Sequence, residues 1–146
     1  MAGQPAIGST NNFIGIDCTT LDVRDPAGGP SNLIINKADA FQVSTDWKLA
    51  GTFASFLSAQ RLPYVVTYYY EGLGNIPEGE LGRVQRQTDP GKLQYGAAET
   101  TLNVAAGTLS VDGTYKLTVV VNFPTNPPTV PAPMTAFFDG PVIEIF

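Results

Sequence analysis

The stretch GTYKLTVVVNF, from Gly113 to Phe123, decides how the rest of the chain is read. Tyr115, Leu117, Val119, Val121 and Phe123 fall on one face, and Lys116, Thr118, Val120 and Asn122 on the other. Alternation with period two, in β-branched and aromatic residues, marks a strand packed on one side. The spacing predicts the central strand of a sheet, flanked by the other alternating segments.

The cleanest of these is FQVSTDWKL (41–49), where Phe41, Val43, Thr45, Trp47 and Leu49 oppose Gln42, Ser44, Asp46 and Lys48. One apolar and one polar face is the antiparallel pattern rather than the parallel one. YVVTYYYEG (64–72) alternates too, but Val65, Thr67 and Tyr69 make its second face hardly more polar than its first. Further strands are expected at 12–23, broken near Thr19–Thr20, at 32–36, around Glu99–Val104, and at 134–146 with a bend at Gly140–Pro141. Phe53, Phe56 and Leu57 sit at i, i+3 and i+4, which predicts one or two helical turns within 50–62, capped by Thr52. Residues 71–92 are turn-rich, with one short strand at Leu81–Gln87, and 124–133 holds five prolines in ten residues. Both are expected as long loops.

The whole predicts an all-β chain: an antiparallel two-sheet sandwich of seven to eight strands with little or no helix. At 146 residues it forms one domain over 13–146 with a small, polar N-terminal arm over 1–12.

Three landmarks resemble the immunoglobulin-like sandwiches, and within them the fibronectin type III pattern. Trp47 stands in VSTDWKL, Tyr64-Val65-Val66-Thr67-Tyr68 matches Y-x-V-x-Y, and Leu109 to Tyr115 matches L-x(5)-Y. The resemblance spans about residues 38–123 and implies that the 64–72 and 113–123 strands are neighbours. It bears on fold and scarcely on activity, because this scaffold carries many functions. The chain is about 50 residues longer than such domains.

Composition narrows the function. Net charge is −5 and pI about 4.4, which argues against nucleic acid, since that needs a basic footprint. Arg83, Arg86 and Lys92 form the one basic cluster, in a segment read as a solvated turn. No run of about 18 apolar residues is present, so no membrane helix is expected. The start MAGQPAIGSTNN lacks the basic and apolar regions of a signal peptide. A cytoplasmic location is expected, with a secreted chain shorn of its leader as the alternative. One cysteine, Cys18, permits no intrachain disulfide, and without a nearby base it is expected to pack.

The chain has no histidine, so the usual general base and zinc ligand are missing. No nucleophile elbow, phosphate-binding loop or dinucleotide fingerprint occurs. No catalytic residue, metal or cofactor is predicted, and the chain is expected not to be an enzyme. Two carboxylate groupings, Asp17, Asp22 and Asp25, and Glu71, Glu78 and Glu80, follow no known calcium-loop signature.

The unusual feature is a low charge, 14% against about 25% in typical domains. From Leu117 to Phe146 only Asp139 and Glu144 are charged. An outward face combining Val65, Thr67 and Tyr69 with Thr118 and Val120, plus the apolar tail Ile143, Ile145 and Phe146, is the candidate interface. The expected function is non-enzymatic contact with protein, as a self-assembling homo-oligomer subunit or a partner-binding module. The alternative is a glycan- or calcium-binding lectin-like domain that uses the loop carboxylates and exposed tyrosines.

Overall fold

The computed structural model describes residues 15–26, 30–123 and 135–146. The arm at 1–12 and the proline-rich segment at 124–133 lie outside the described residues, as do residues 13–14, 27–29 and 134. Strand dominates, in two sheets that share one core. The first sheet holds β1 (Gly15–Arg24), β3 (Phe41–Ala50), β6 (Gln94–Tyr95) and β7 (Leu102–Val104). β3 lies between β1 on one side and the two short strands on the other. The second sheet runs in the order β2 (Ile34–Ile35), β9 (Thr135–Ile145), β8 (Gly113–Asn122), β4 (Pro63–Gly72), β5 (Glu78–Gln87). β8 is therefore a central strand, as its alternation predicts, and it pairs antiparallel with β4 and β9.

The inward residues of both sheets fill the core. Trp47, Tyr64, Tyr68, Tyr95, Tyr115 and Phe123 are its largest fully buried side chains. The Trp47 ring stacks on Tyr95 with centroids 4.4 Å apart, and meets Tyr64 edge-on at 4.7 Å. Rings of this size, projecting from facing sheets, fill a gap of about 10 Å that aliphatic residues alone fill less well. The Tyr115 hydroxyl donates to the Val111 carbonyl at 2.5 Å, tying the Gly107–Asp112 corner to the start of β8. Tyr115→Phe should lose about 1–2 kcal/mol by leaving that carbonyl unpaired. A melt that moves by less than a degree would show the bond to be dispensable.

Three bulges set which way the strands face, because one extra residue reverses the alternation beyond it. In β1 the register shifts between Cys18 and Thr20, so Ile16 and Cys18 point inward before it and Leu21 and Val23 after it. This is the expected break near Thr19–Thr20. In β5 the shift falls at Leu81, and in β9 at Gly140–Pro141, opposite Leu117. There β1 lies against β9, with Leu21 directly over Gly140.

Several expectations are corrected. The strand expected at Leu81–Gln87 is present but longer, as β5, so ten residues of the 71–92 stretch pair with β4 around the Leu81 bulge and the stretch is not one long loop. Gly79 and Gly82 read as turn signals in sequence, but the ladder overrides them. The segment near Glu99 divides into a short helix, α2 (Ala97–Thr100), followed by β7. α2 is held because Thr100 Oγ1 donates to the Thr45 carbonyl at 2.7 Å and accepts from the Thr45 amide at 3.1 Å. A helix does form within 50–62, α1 (Ala54–Ala59), but its N-cap is Phe53 without a side-chain capping bond, not Thr52. β2 pairs with β9 in parallel, an exception to the antiparallel expectation. Nine strands are present among the described residues, two of them only two residues long. No helix among those residues is long and apolar enough to cross a membrane.

Candidate functional site

The outer face of the second sheet carries most of the predicted residues. Alternation turns Val65, Thr67 and Tyr69 of β4 outward, and Thr118 and Val120 of β8 beside them. The ladder pairs Thr67 with Val120 and Tyr69 with Thr118. The neighbouring strands extend these rows, since Arg83 pairs with Thr67 and Glu80 with Tyr69. On the other side Phe137 pairs with Val120, and Asp139 with Thr118. The middle of the face is therefore uncharged, with an ionic border on each flank. Arg83 bonds Glu80 at 2.8 Å on one flank. On the other, Asp139 accepts from Thr118 at 3.1 Å and lies 3.6 Å from the Lys116 ammonium. An apolar middle with a polar rim is the common anatomy of a contact surface.

Relief on the face is uneven. Tyr69 is 41% exposed and Phe137 42%, whereas Thr67 is 5% exposed. Thr67 faces outward in the register but is covered, so it offers little surface for contact. Val65 and Val120 are half-buried. Ile143 and Ile145 are corrected outright: they are core residues, 1% and 2% exposed. The Gly140–Pro141 bulge is the reason, because odd positions face outward before it and inward after it. Val142 takes the outward place and is 49% exposed. Phe146 is exposed, but at the β2 edge, where its amide donates to the Ile35 carbonyl at 3.1 Å. Phe137 and Val142 were missed as face residues, although Phe137 and Asp139 alternate visibly in TAFFDG. A second exposed apolar pair, Phe53 and Phe56, stands on α1.

The outer face of the first sheet is different. Two polar hollows, of about 450 and 570 Å³, share Asp46. Thr20, Asp22, Arg24 and Ser44 line one, and Thr19, Lys48 and Gln94 the other. Burial works against the Asp22 carboxylate, but hydrogen bonds from Ser31 and Arg24 outweigh it and hold its pKa below the usual range. Asp22 therefore stays ionised near neutrality, which suits a structural anchor better than a proton donor.

The remaining candidates resolve into packing. Cys18 is buried, hydrogen-bonded to Thr45 at 3.0 Å, and pushed up to about 11 chiefly by burial, so it holds no thiolate at neutral pH. Four of the six tyrosines are buried and Tyr70 is half-buried, leaving Tyr69 as the exposed one. Among the described residues no group of three or more His, Cys, Asp or Glu is placed to share a metal ion. The carboxylates have other partners: Asp25 accepts from Asn32, Glu80 from Arg83, and Glu71 pairs in register with Glu78 and Lys116.

Near the aromatic cluster, Lys92 bonds Glu99, and Glu99 also accepts from the Gly96 amide at 2.9 Å. Burial opposes the Glu99 charge, but these two bonds prevail and lower its pKa. A depressed folded pKa gives stability that is present above the unfolded value and lost as pH falls through the folded one. Melting temperature should thus drop below about pH 4.3. Glu99→Gln should flatten that part of the curve; an unchanged acid limb in the variant would remove Glu99 from the account.

No protein-family model matches the chain, and a search of curated proteins finds no match either.

Proposed function

We propose that this chain is an immunoglobulin-like sandwich that acts without catalysis, through protein–protein contact at the outer face of the β5–β4–β8–β9 sheet. The strand order supports the fold part of this reading. A β1–β3–β7 sheet opposes a β5–β4–β8–β9 sheet, and β2 lies parallel to β9 at the edge. The buried Trp47 and the Tyr115 hydroxyl bond fit the same architecture.

One observation carries the functional part: Val65, Tyr69, Val120 and Phe137 form a continuous uncharged middle, bordered by ion pairs, on the outward side of four strands of the five-strand sheet. Desolvating hydroxyls and apolar groups costs far less than desolvating ions, so a face of this composition is suited to being covered. The lectin-like alternative has less support, since the tyrosines it needs are mostly in the core. The working location that fits a single buried thiol is the cytoplasm.

The test compares wild type with Tyr69→Glu and Val120→Glu, measuring sedimentation mass and the binding of any protein that copurifies with wild type. Loss of association in both variants, with unchanged melting temperature, is expected. Association that survives both substitutions would overturn the reading.

A further inference from the structure

We infer that the occupant of this face is a second copy of the same chain, packed sheet to sheet about a two-fold axis that crosses the strands midway between the Thr67 and Tyr69 rows. The inference rests on the contact reading above and adds the partner and its orientation.

Charge selects this arrangement. In the ladder, the Thr67 row reads Arg83, Thr67, Val120, Phe137, and the next row reads Glu80, Tyr69, Thr118, Asp139. A two-fold axis between them lays each row over the partner's other row. The Tyr69 ring, 41% exposed, then stands over the partner's Thr67, and the reverse contact is made at the same time. Arg83 meets the partner's Glu80, and Glu80 the partner's Arg83. In one chain these two already pair at 2.8 Å, so the dimer closes an alternating ring of four charges. Phe137 comes over the partner's Asp139, whose carboxylate is bonded to Thr118 and paired with Lys116 on its own β8.

The competing symmetric arrangements are worse. An axis along the strands, between β4 and β8, sets Glu80 on the partner's Asp139. Centring the crossing axis on the Thr67 row sets Arg83 on Arg83, and centring it on the Tyr69 row sets Glu80 on Glu80. Like charges facing each other across an interface are strongly disfavoured. Four strands about 4.8 Å apart and four rows about 6.8 Å apart span at most about 500 Å² on each copy. Twice that, about 1,000 Å², is at the lower limit for a specific interface, so a concentration-dependent dimer is expected rather than a permanent one.

Sedimentation of charge-exchange variants tests this. Arg83→Glu sets an acidic residue against the partner's Glu80 at both symmetric contacts, and Glu80→Arg likewise sets a basic residue against the partner's Arg83. Each variant alone should dissociate at least about tenfold more readily than wild type. An equimolar mixture of the two should regain dimers, because every contact then joins opposite charges. The double variant carrying both exchanges should regain them alone. Recovery in the mixture also shows that each variant is folded.

A wild type that stays monomeric at millimolar concentration would overturn the inference. So would single variants that dimerise as wild type does, or a mixture that stays dissociated. Two of these outcomes separate the orientation from the contact reading. If Arg83→Glu has no effect but Tyr69→Glu abolishes the dimer, this orientation is wrong and the face remains a contact surface. If Tyr69→Glu and Val120→Glu also leave the dimer intact, the face itself is the wrong choice.

Discussion

Trp47→Ala should cost the fold about 3–5 kcal/mol, as removal of a large buried aromatic typically does. Trp47 is 1% exposed, stacks on Tyr95 at 4.4 Å, and meets Tyr64 and Phe123 edge-on at 4.7 and 5.8 Å. The substitution removes one side of three ring contacts at once, and the surrounding β-ladders cannot collapse into the space. A domain of this kind is stable by about 5–15 kcal/mol in total, so the variant should lie near the limit of folding at 25 °C. Trp47→Phe keeps a ring in place and should cost less than half as much. Urea unfolding gives both numbers. Equal losses for alanine and phenylalanine would mean that the ring contacts are not what Trp47 contributes.

Gly140→Ala should be strongly damaging for so small a substitution. A Cβ at this position would lie 2.1 Å from Leu21 Cδ2, 2.7 Å from its Cγ and 2.9 Å from its Cβ. Rotating Leu21 cannot relieve the contact, because its Cβ is fixed by the β1 backbone. Relief must come from separating β1 from β9, the crossing where the two sheets approach. Overpacking of this kind costs about 1–3 kcal/mol, and here the upper end is expected. Leu21→Ala alone opens a cavity and also destabilises. Combined, the two changes should cost clearly less than their sum, because the smaller side chain makes room for the new methyl. Strict additivity would show that the clash is relieved elsewhere.

Which parts of this architecture are legible in sequence follows from how far the alternation runs uninterrupted. β3 and β8 are unbroken ten-residue strands, and both read directly from residues 41–49 and 113–123. The neighbouring of β4 and β8 followed from the aromatic landmarks, and with it the placing of Val65, Thr67 and Tyr69 beside Thr118 and Val120 on one face. β5 was obscured because its glycines and its bulge at Leu81 break the period, so Arg83 and Glu80 looked like loop charges. The β9 bulge had a larger effect. Read without it, Ile143 and Ile145 continue the outward phase of Phe137, whereas the extra residue sends them into the core. A bulge leaves only a Gly-Pro dipeptide in the sequence, and that signal gives a bend without saying which face follows it. Thr67 was misjudged for another reason, since relief on a face depends on the sizes of neighbouring side chains rather than on phase.

Hydroxyl-radical footprinting across a dilution series tests the contact most directly, because it reads individual rings on the intact protein. Tyr69 and Phe137 should become protected as concentration rises, while Phe56, 63% exposed on α1 rather than on the β4–β8–β9 face, keeps its reactivity and serves as the internal standard. Tyr69 and Phe137 reacting equally at every concentration at which sedimentation detects dimers, or Phe56 protected in their place, would contradict the account.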